Sequence, residues 1–232
     1  MRLDSRLEGT LHAYRLLALD TAAISDALDS LYIAGGLAGI KPQAGGKKIA
    51  GPAFTVKYEA CTPEKNQFMN AGNYIDEVPA GAVIVVDNGG RTDCTSWGNI
   101  LTTKALQKGI AGSVIYGSAR DIADIRQMGY SLFSSNIYMV SGKNRARVSA
   151  VQCALDIGGV TVCPGDWVFG DDNGVDGTVE AHHRRDLRVS GHLADDGQDA
   201  ATQRRIARRV TGLEVEDRGP DLRDRPEIGR AH

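Results

Sequence analysis

Residues 82–87 read Ala-Val-Ile-Val-Val-Asp, a continuous apolar and mostly β-branched run. A strand with one face in water alternates apolar and polar side chains, whereas an unbroken run suits a strand buried on both faces. This points to a layered α/β architecture. The run ends in Asp87-Asn88-Gly89-Gly90, a turn signal that carries the chain outward from a strand end and offers one wall for a site.

A second strand-end unit lies between Trp97 and Asp124. Gly98 marks a turn, the Leu101 to Lys108 region reads as a helix, and Gly109 and Gly112 break it. Ser113-Val114-Ile115-Tyr116 then reads as an apolar strand, followed by a charged turn with Arg120-Asp121 and a helix through Ile125 to Gly129. A cation and a carboxylate thus stand at the end of a buried strand. Loops at strand ends are where a rigid α/β scaffold presents its chemistry.

Around these two units the pattern alternates. Residues 5 to 34 show helical periodicity, with Asp20-Thr21 as a capping pair, Ile24, Leu28 and Leu31 as one apolar face, and Gly35-Gly36 as the stop. Ala53 to Tyr58 suits a half-buried strand, and Glu64 to Asn73 a short helix. Later come short strands at Tyr130 to Phe133 and Gly159 to Val162, an apolar segment at Asn136 to Val140, and an ambiguous stretch at Arg147 to Leu155. A turn at Cys163-Pro164-Gly165-Asp166, a strand Trp167 to Gly170 and a hairpin tip at Asp171 to Gly174 close the series. Residues 1–181 read as one domain. Residues 182–232 read as a charged extension, partly helical or mobile, with little to bury.

The formal charge of -2 gives no global basic field for a polyanion, so a small molecule or another protein is the expected partner and nucleic acid is not. Cys61, Cys94, Cys153 and Cys163 form no CxxC pair, which argues against a zinc ribbon and suits reduced thiols. No apolar run approaches bilayer length and the first residues carry no apolar leader core, so the expected location is cytoplasmic. Arg204, Arg205, Arg208 and Arg209 read as a solvated helix face flanked by acids, and His182-His183 as part of a solvated tail. Trp97 reads equally as pocket lining or as packing beside the glycine turn, and Cys94, with no His close in sequence, as a small buried thiol rather than a nucleophile.

At that corner, Asp121 beside Arg120 stays ionised and can hold a hard cation such as Mg²⁺, which keeps several of its waters. Arg120 offers a planar fork to a carboxylate or enolate oxygen, and the start of the helix after Gly98 favours an anion. Together these suit a 2-oxo acid. The same dipeptide also occurs as a plain surface ion pair capping a helix.

The segment WGNILTTKALQKGIAGSVIYGSARDIAD resembles the signature of the RraA-like family. That family holds the class II pyruvate aldolases for 4-hydroxy-4-methyl-2-oxoglutarate and 4-carboxy-4-hydroxy-2-oxoadipate, and the RraA-type regulators of ribonuclease E. The signature sets an acidic residue ahead of an Arg-Asp pair with twenty residues between them, and a further acid just beyond, here Arg120-Asp121 and Asp124. The resemblance extends from DTAAISDAL at Asp20 through AGPAFTV and VPAGAVIVVD to CPGDWVFGDDNGV at Val175. It implies an α/β/β/α sandwich, related to phosphohistidine swivelling domains, assembled as a homotrimer or hexamer with sites between subunits. It implies that Asp121 and Asp124 hold Mg²⁺ or Mn²⁺, and that Arg120 grips the carboxylate of a 2-oxo acid. The backbone of Gly98, Asn99, Ile100 and Leu101 would cradle the anion. The implied reaction is metal-dependent retro-aldol cleavage through a pyruvate enolate, with oxaloacetate decarboxylation as a related activity.

Two departures stand out. Asn99 occupies the position at which the aldolases carry Asp, so acid–base assistance worth about 10²–10⁴-fold is missing there. That leaves three readings of the catalytic set Arg120, Asp121 and Asn99: a lyase, a protein-binding RraA-type regulator of RNA processing, or a different reaction on a related anion. In addition, no motif after Val175 matches the acid that the family supplies across the subunit interface, for which Glu180, Asp195, Asp196 and Glu214 are candidates.

Overall fold

The computed structural model describes residues 13–30, 32–62 and 72–178. The charged extension from residue 182 onward, with its histidine pair and its arginine face, lies outside the described residues, as do all four candidate cross-subunit acids, Glu180 included. So do residue 31, residues 5–12 and residues 63–71, where most of the short helix from Glu64 was expected.

Residues 13–17 are helical, and helix α1 follows at Thr21–Asp29. Asp20 caps it as expected, its carboxylate accepting the Ala23 N–H at 2.8 Å. The helix ends earlier than the sequence suggested, before Gly35-Gly36. Ser30 closes back on its last turn, Oγ donating to the Ala27 carbonyl at 2.7 Å, and Tyr32 turns the chain with φ 57°. Gly35 instead lies against the Leu28 side chain, whose Cδ1 an added Cβ would have to displace.

The strands are β1 (Lys41–Ala44), β2 (Ile49–Ala60), β3 (Val83–Asp87), β4 (Thr95–Trp97), β5 (Gly112–Ala119), β6 (Leu132–Ile137), β7 (Ala146–Val151), β8 (Leu155–Ile157), β9 (Val160–Val162), β10 (Trp167–Gly170) and β11 (Val175–Thr178). Helices α2 (Asn99–Gln107) and α3 (Ile122–Met128) flank β5, and a 3-10 turn occupies Asn73–Glu77. Nine strands form one sheet in the order β1-β6-β5-β3-β2-β10-β11, with β4 added to β5 and β7 to β2; β8 and β9 pair separately. Strands β2, β3, β5 and β6 run parallel, so their carboxyl ends share one edge.

The run at 82–87 behaves as its composition demands. Every residue of β3 is buried, and alternate side chains enter different cores. Ile84 and Val86 join Trp97, Ala105, Ile125 and Tyr130 on the helix side, while Val83 and Val85 pack with Leu155, Ile157 and Val162 of the β8–β9 hairpin. A third core gathers Leu16, Ile24 and Leu28 against Trp167 and Phe169. Strand β2 corrects the half-buried expectation for Ala53 to Tyr58. Ala53 through Val56 are buried on both faces because Phe54 and Val56 enter the helix-side core while Ala53 packs into the core with the β8–β9 hairpin, and alternation starts only at Lys57.

Candidate active site

The corner is built by two short connections on the carboxyl edge. Strand β4 runs straight into α2, and β5 straight into α3. The Arg120 N–H donates to the Trp97 carbonyl at 3.1 Å, tying the two strand ends together. Trp97 is the anchor below. It is buried, its Nε1 donates to Thr102 Oγ1 at 2.9 Å, and its ring stacks on Tyr130 with centroids 6.2 Å apart. It packs the floor of the corner, so of its two readings the structure takes packing over pocket lining.

Gly98 is the N-cap of α2 in extended backbone, with φ -166°, so no unusual torsion requires glycine there. Close approach does. A Cβ on Gly98 would lie 2.7 Å from Asp121 Oδ2 and 3.3 Å from Arg120 Cγ. Asp121 caps α3 in the left-handed region, φ 59° and ψ 32°, a conformation that Asp and Asn tolerate better than most residues. Its side chain caps nothing in its own helix. It turns toward α2, where Oδ2 accepts the Asn99 N–H at 3.1 Å and lies 3.5 Å from Arg120 Nε. Asn99 then reaches the next carboxylate, Nδ2 donating to Asp124 Oδ2 at 3.0 Å.

Asn99, Arg120, Asp121 and Asp124 therefore meet where the N-termini of α2 and α3 face each other, both Arg120 and Asp121 being half-buried. Ile100 is exposed and Leu101 packs on the helix-side core. By their position in the first turn of α2 the N–H groups of Ile100 and Leu101 have no carbonyl within the helix to bond. The backbone from Gly98 to Leu101 thus presents donors beside a cation and two carboxylates.

The other expected wall is tied to its own turn and to β5. Asp87 closes its own turn by accepting the Gly89 N–H at 2.8 Å, and Asn88 is held on β5 through its N–H to the Tyr116 carbonyl. Among the described residues no hydrogen bond joins Asp87 or Asn88 to the corner. Cys94 is buried and its thiol is pushed up by that burial, which suits packing rather than nucleophilic chemistry. No local pattern in the sequence marks the clamp from Trp97 to Thr102 or the left-handed Asp121. A glycine directly before a helix, with no side chain to cap it, was the one local signal that something else needs the space.

Among the described residues, no three His, Cys, Asp or Glu side chains converge as metal ligands. The corner offers two carboxylates, with Asp121 and Asp124 each spending Oδ2 on a hydrogen bond. A sparse set of hard oxygens suits Mg²⁺, which is ordinarily held by one or two carboxylates and keeps several waters.

The family model described as RraA-like, Aldolase/RraA, matches residues 21–176. The protein DlpA of Legionella pneumophila is 50% identical over 161 residues, covering 69% of this chain and 26% of its own length. The chain thus spans about a quarter of that relative. A Burkholderia mallei protein provisionally named a 4-hydroxy-4-methyl-2-oxoglutarate aldolase is 32% identical over 136 residues, 58% of this chain and 78% of its own. Among solved structures, Streptomyces coelicolor RraAS2, described as an unusual member of the RNase ES inhibitor RraA protein family, superposes with TM-score 0.64. It shares 26% identity over 76% of this chain and 87% of its own.

Proposed function

The chain belongs to the RraA-like (Aldolase/RraA) family, and we propose that it is a divalent-metal-dependent carbon–carbon lyase acting on a 2-oxo acid. The observation that carries this reading is the convergence of Arg120, Asp121 and Asp124 on a glycine-cleared helix start. A protein used only as a binding surface has no physical need of that cluster. The name of the Burkholderia mallei relative points to the same substrate class.

In this reading Asp121 and Asp124 hold Mg²⁺ or Mn²⁺, which supplies Lewis acidity toward the 2-oxo group. Arg120 binds the substrate carboxylate through its planar fork. The Ile100 and Leu101 N–H groups steady the negative charge that grows on the 2-oxo oxygen as the carbon–carbon bond breaks. The Asn99 amide holds Asp124 in place but has no basic atom to take the proton of a 4-hydroxyl group, so that proton leaves through another acceptor. Exposed Ile100, beside the corner, and exposed Ile137, paired with Ala119 at the end of β5, suit burial against further copies in a homotrimer or hexamer.

The test is pyruvate release from 4-hydroxy-4-methyl-2-oxoglutarate and from oxaloacetate with Mg²⁺ or Mn²⁺. Release that disappears with EDTA and in Asp121→Ala supports the lyase. Silence of both the native protein and Asn99→Asp overturns it. A second reading, a protein-binding regulator of RNA processing like the RraA proteins, is favoured by one feature, the amide at position 99. It expects the native protein to be silent.

A further inference from the structure

A second cationic cleft opens on the same sheet edge, on the β2 side of the corner. It has a volume of about 350 Å³ and is lined by Ala60, Cys61, Arg91, Asn144 and Arg145. Its size lies within the range of small-molecule sites. None of its lining residues belongs to the Arg120 corner.

Both guanidiniums are held in place. Arg91 donates through Nε and Nη2 to the two carboxylate oxygens of Asp93, at 2.9 and 2.7 Å, and through Nη1 to the Arg145 carbonyl at 2.8 Å. That carbonyl also accepts the Cys61 N–H at 3.0 Å. Ser118 Oγ donates to the Arg91 carbonyl at 3.0 Å, fixing the loop on β5. Arg145 donates through Nη1 to the Ser141 and Lys143 carbonyls, both at 3.3 Å. The end of β2, the loop after β3 and the turn before β7 are thereby locked together around the cleft.

Its charge is not balanced from within. Asp93 pairs with Arg91, and no carboxylate among the described residues lies within ion-pair distance of Arg145. Arg91 keeps one N–H on each terminal nitrogen beyond these bonds, and Arg145 keeps Nε and Nη2. Two guanidiniums around one carboxylate leave a net positive charge with spare, oriented donors, the arrangement that an oxyanion completes.

We propose that this cleft is an oxyanion-binding site, taking the phosphate or carboxylate group of a small acidic ligand between Arg91 and Arg145, separate from the Arg120 corner. The experiment is calorimetric titration of the full chain carrying Arg120→Gln, so that anion binding at the corner is removed whatever the corner does. Inorganic phosphate and succinate are titrated in parallel at low ionic strength. Saturable binding of at least one anion is expected. Adding Arg145→Gln weakens it about tenfold, the loss of one charge-assisted contact, and Arg145→Lys keeps part of it. Arg91→Gln gives a second loss from the opposite wall. Preference for phosphate identifies a phosphorylated ligand, and preference for succinate a carboxylic acid. Absence of saturable heat with both anions, or equal affinity with and without Arg145→Gln, overturns the proposal.

Discussion

Asn99 Nδ2 donates to Asp124 Oδ2 at 3.0 Å, so the amide that stands in place of the aldolases' carboxylate is a fixed part of the corner. Replacing it by Asp sets carboxylate against carboxylate, which raises the pKa of one of them and costs about 1–2 kcal/mol without metal. Asn99→Asp is therefore expected to melt lower than the native protein in EDTA and to gain more from added Mg²⁺. In the lyase reading its pyruvate release rises by about 10²–10⁴-fold, the usual worth of acid–base assistance. Melting curves with and without Mg²⁺, and the pyruvate assay, check the two halves separately.

Gly98→Ala separates folding from chemistry. With φ near -166° the added methyl strains no torsion, but it lands 2.7 Å from Asp121 Oδ2. The carboxylate is the movable partner and swings away. Stability is expected to change by less than about 1 kcal/mol. Pyruvate release falls by about 10²-fold or more, because a displacement near 1 Å is costly at a reacting centre. Parallel melting and rate measurements show whether the two effects part.

Beneath the corner, Tyr130 and Ser113 share a buried hydrogen bond of 2.7 Å between their hydroxyl oxygens. Tyr130→Phe leaves Ser113 Oγ buried without that partner, a cost of about 1–2 kcal/mol. The stacking on Trp97 survives, so the rate stays near native. Adding Ser113→Ala removes the orphaned hydroxyl, and the double variant is expected to recover much of the loss in chemical denaturation.

The pH dependence of stability is set in part by Asp176. Burial first, then the neighbouring Asp171 and Asp29, push its carboxyl up to about 7, and its Oδ2 has no partner. Unfolded, it titrates near 3.8. Between about pH 4 and 7 the folded protein therefore keeps a proton that the unfolded chain has released. The stability tied to this group is full below about pH 4 and is lost as the pH rises through 7. Asp171 acts at the acid end only. Burial raises it, yet the bonds from Thr21 N, Thr21 Oγ1 and Asn173 N hold it below its ordinary value. Asp176→Asn is thus expected to melt above the native protein at pH 8, with the difference shrinking toward pH 5 in a series of thermal scans.

Much of the scaffold was legible because its signals are local. The continuous run at 82–87, the Asp20 cap, the Cys163-Pro164-Gly165-Asp166 turn and the Asp171 to Gly174 hairpin tip each depend on a few neighbouring residues, and each appears where the pattern put it. The end of α1 and the burial of β2 were misread for the opposite reason. A hydroxyl closing on its own helix at Ser30, and cores packed against both faces of Ala53 to Val56, decide them, and neither leaves a periodic trace.

The sequence by itself determined that Arg120 and Asp121 would follow a buried strand and that Asn99 would open a helix, since apolar periodicity and glycine punctuation fix those positions within a few residues. Only the tertiary structure decided that they meet. Asn99 and Asp121 are 22 residues apart, and their bond exists because β4 and β5 end side by side and aim two helix N-termini at one point. The same holds for Gly98, whose missing side chain makes room for a carboxylate from another element, and for Arg91 and Arg145, joined across 54 residues. Strand and helix are settled by neighbours in the chain, whereas a site is settled by distances in space that packing alone sets.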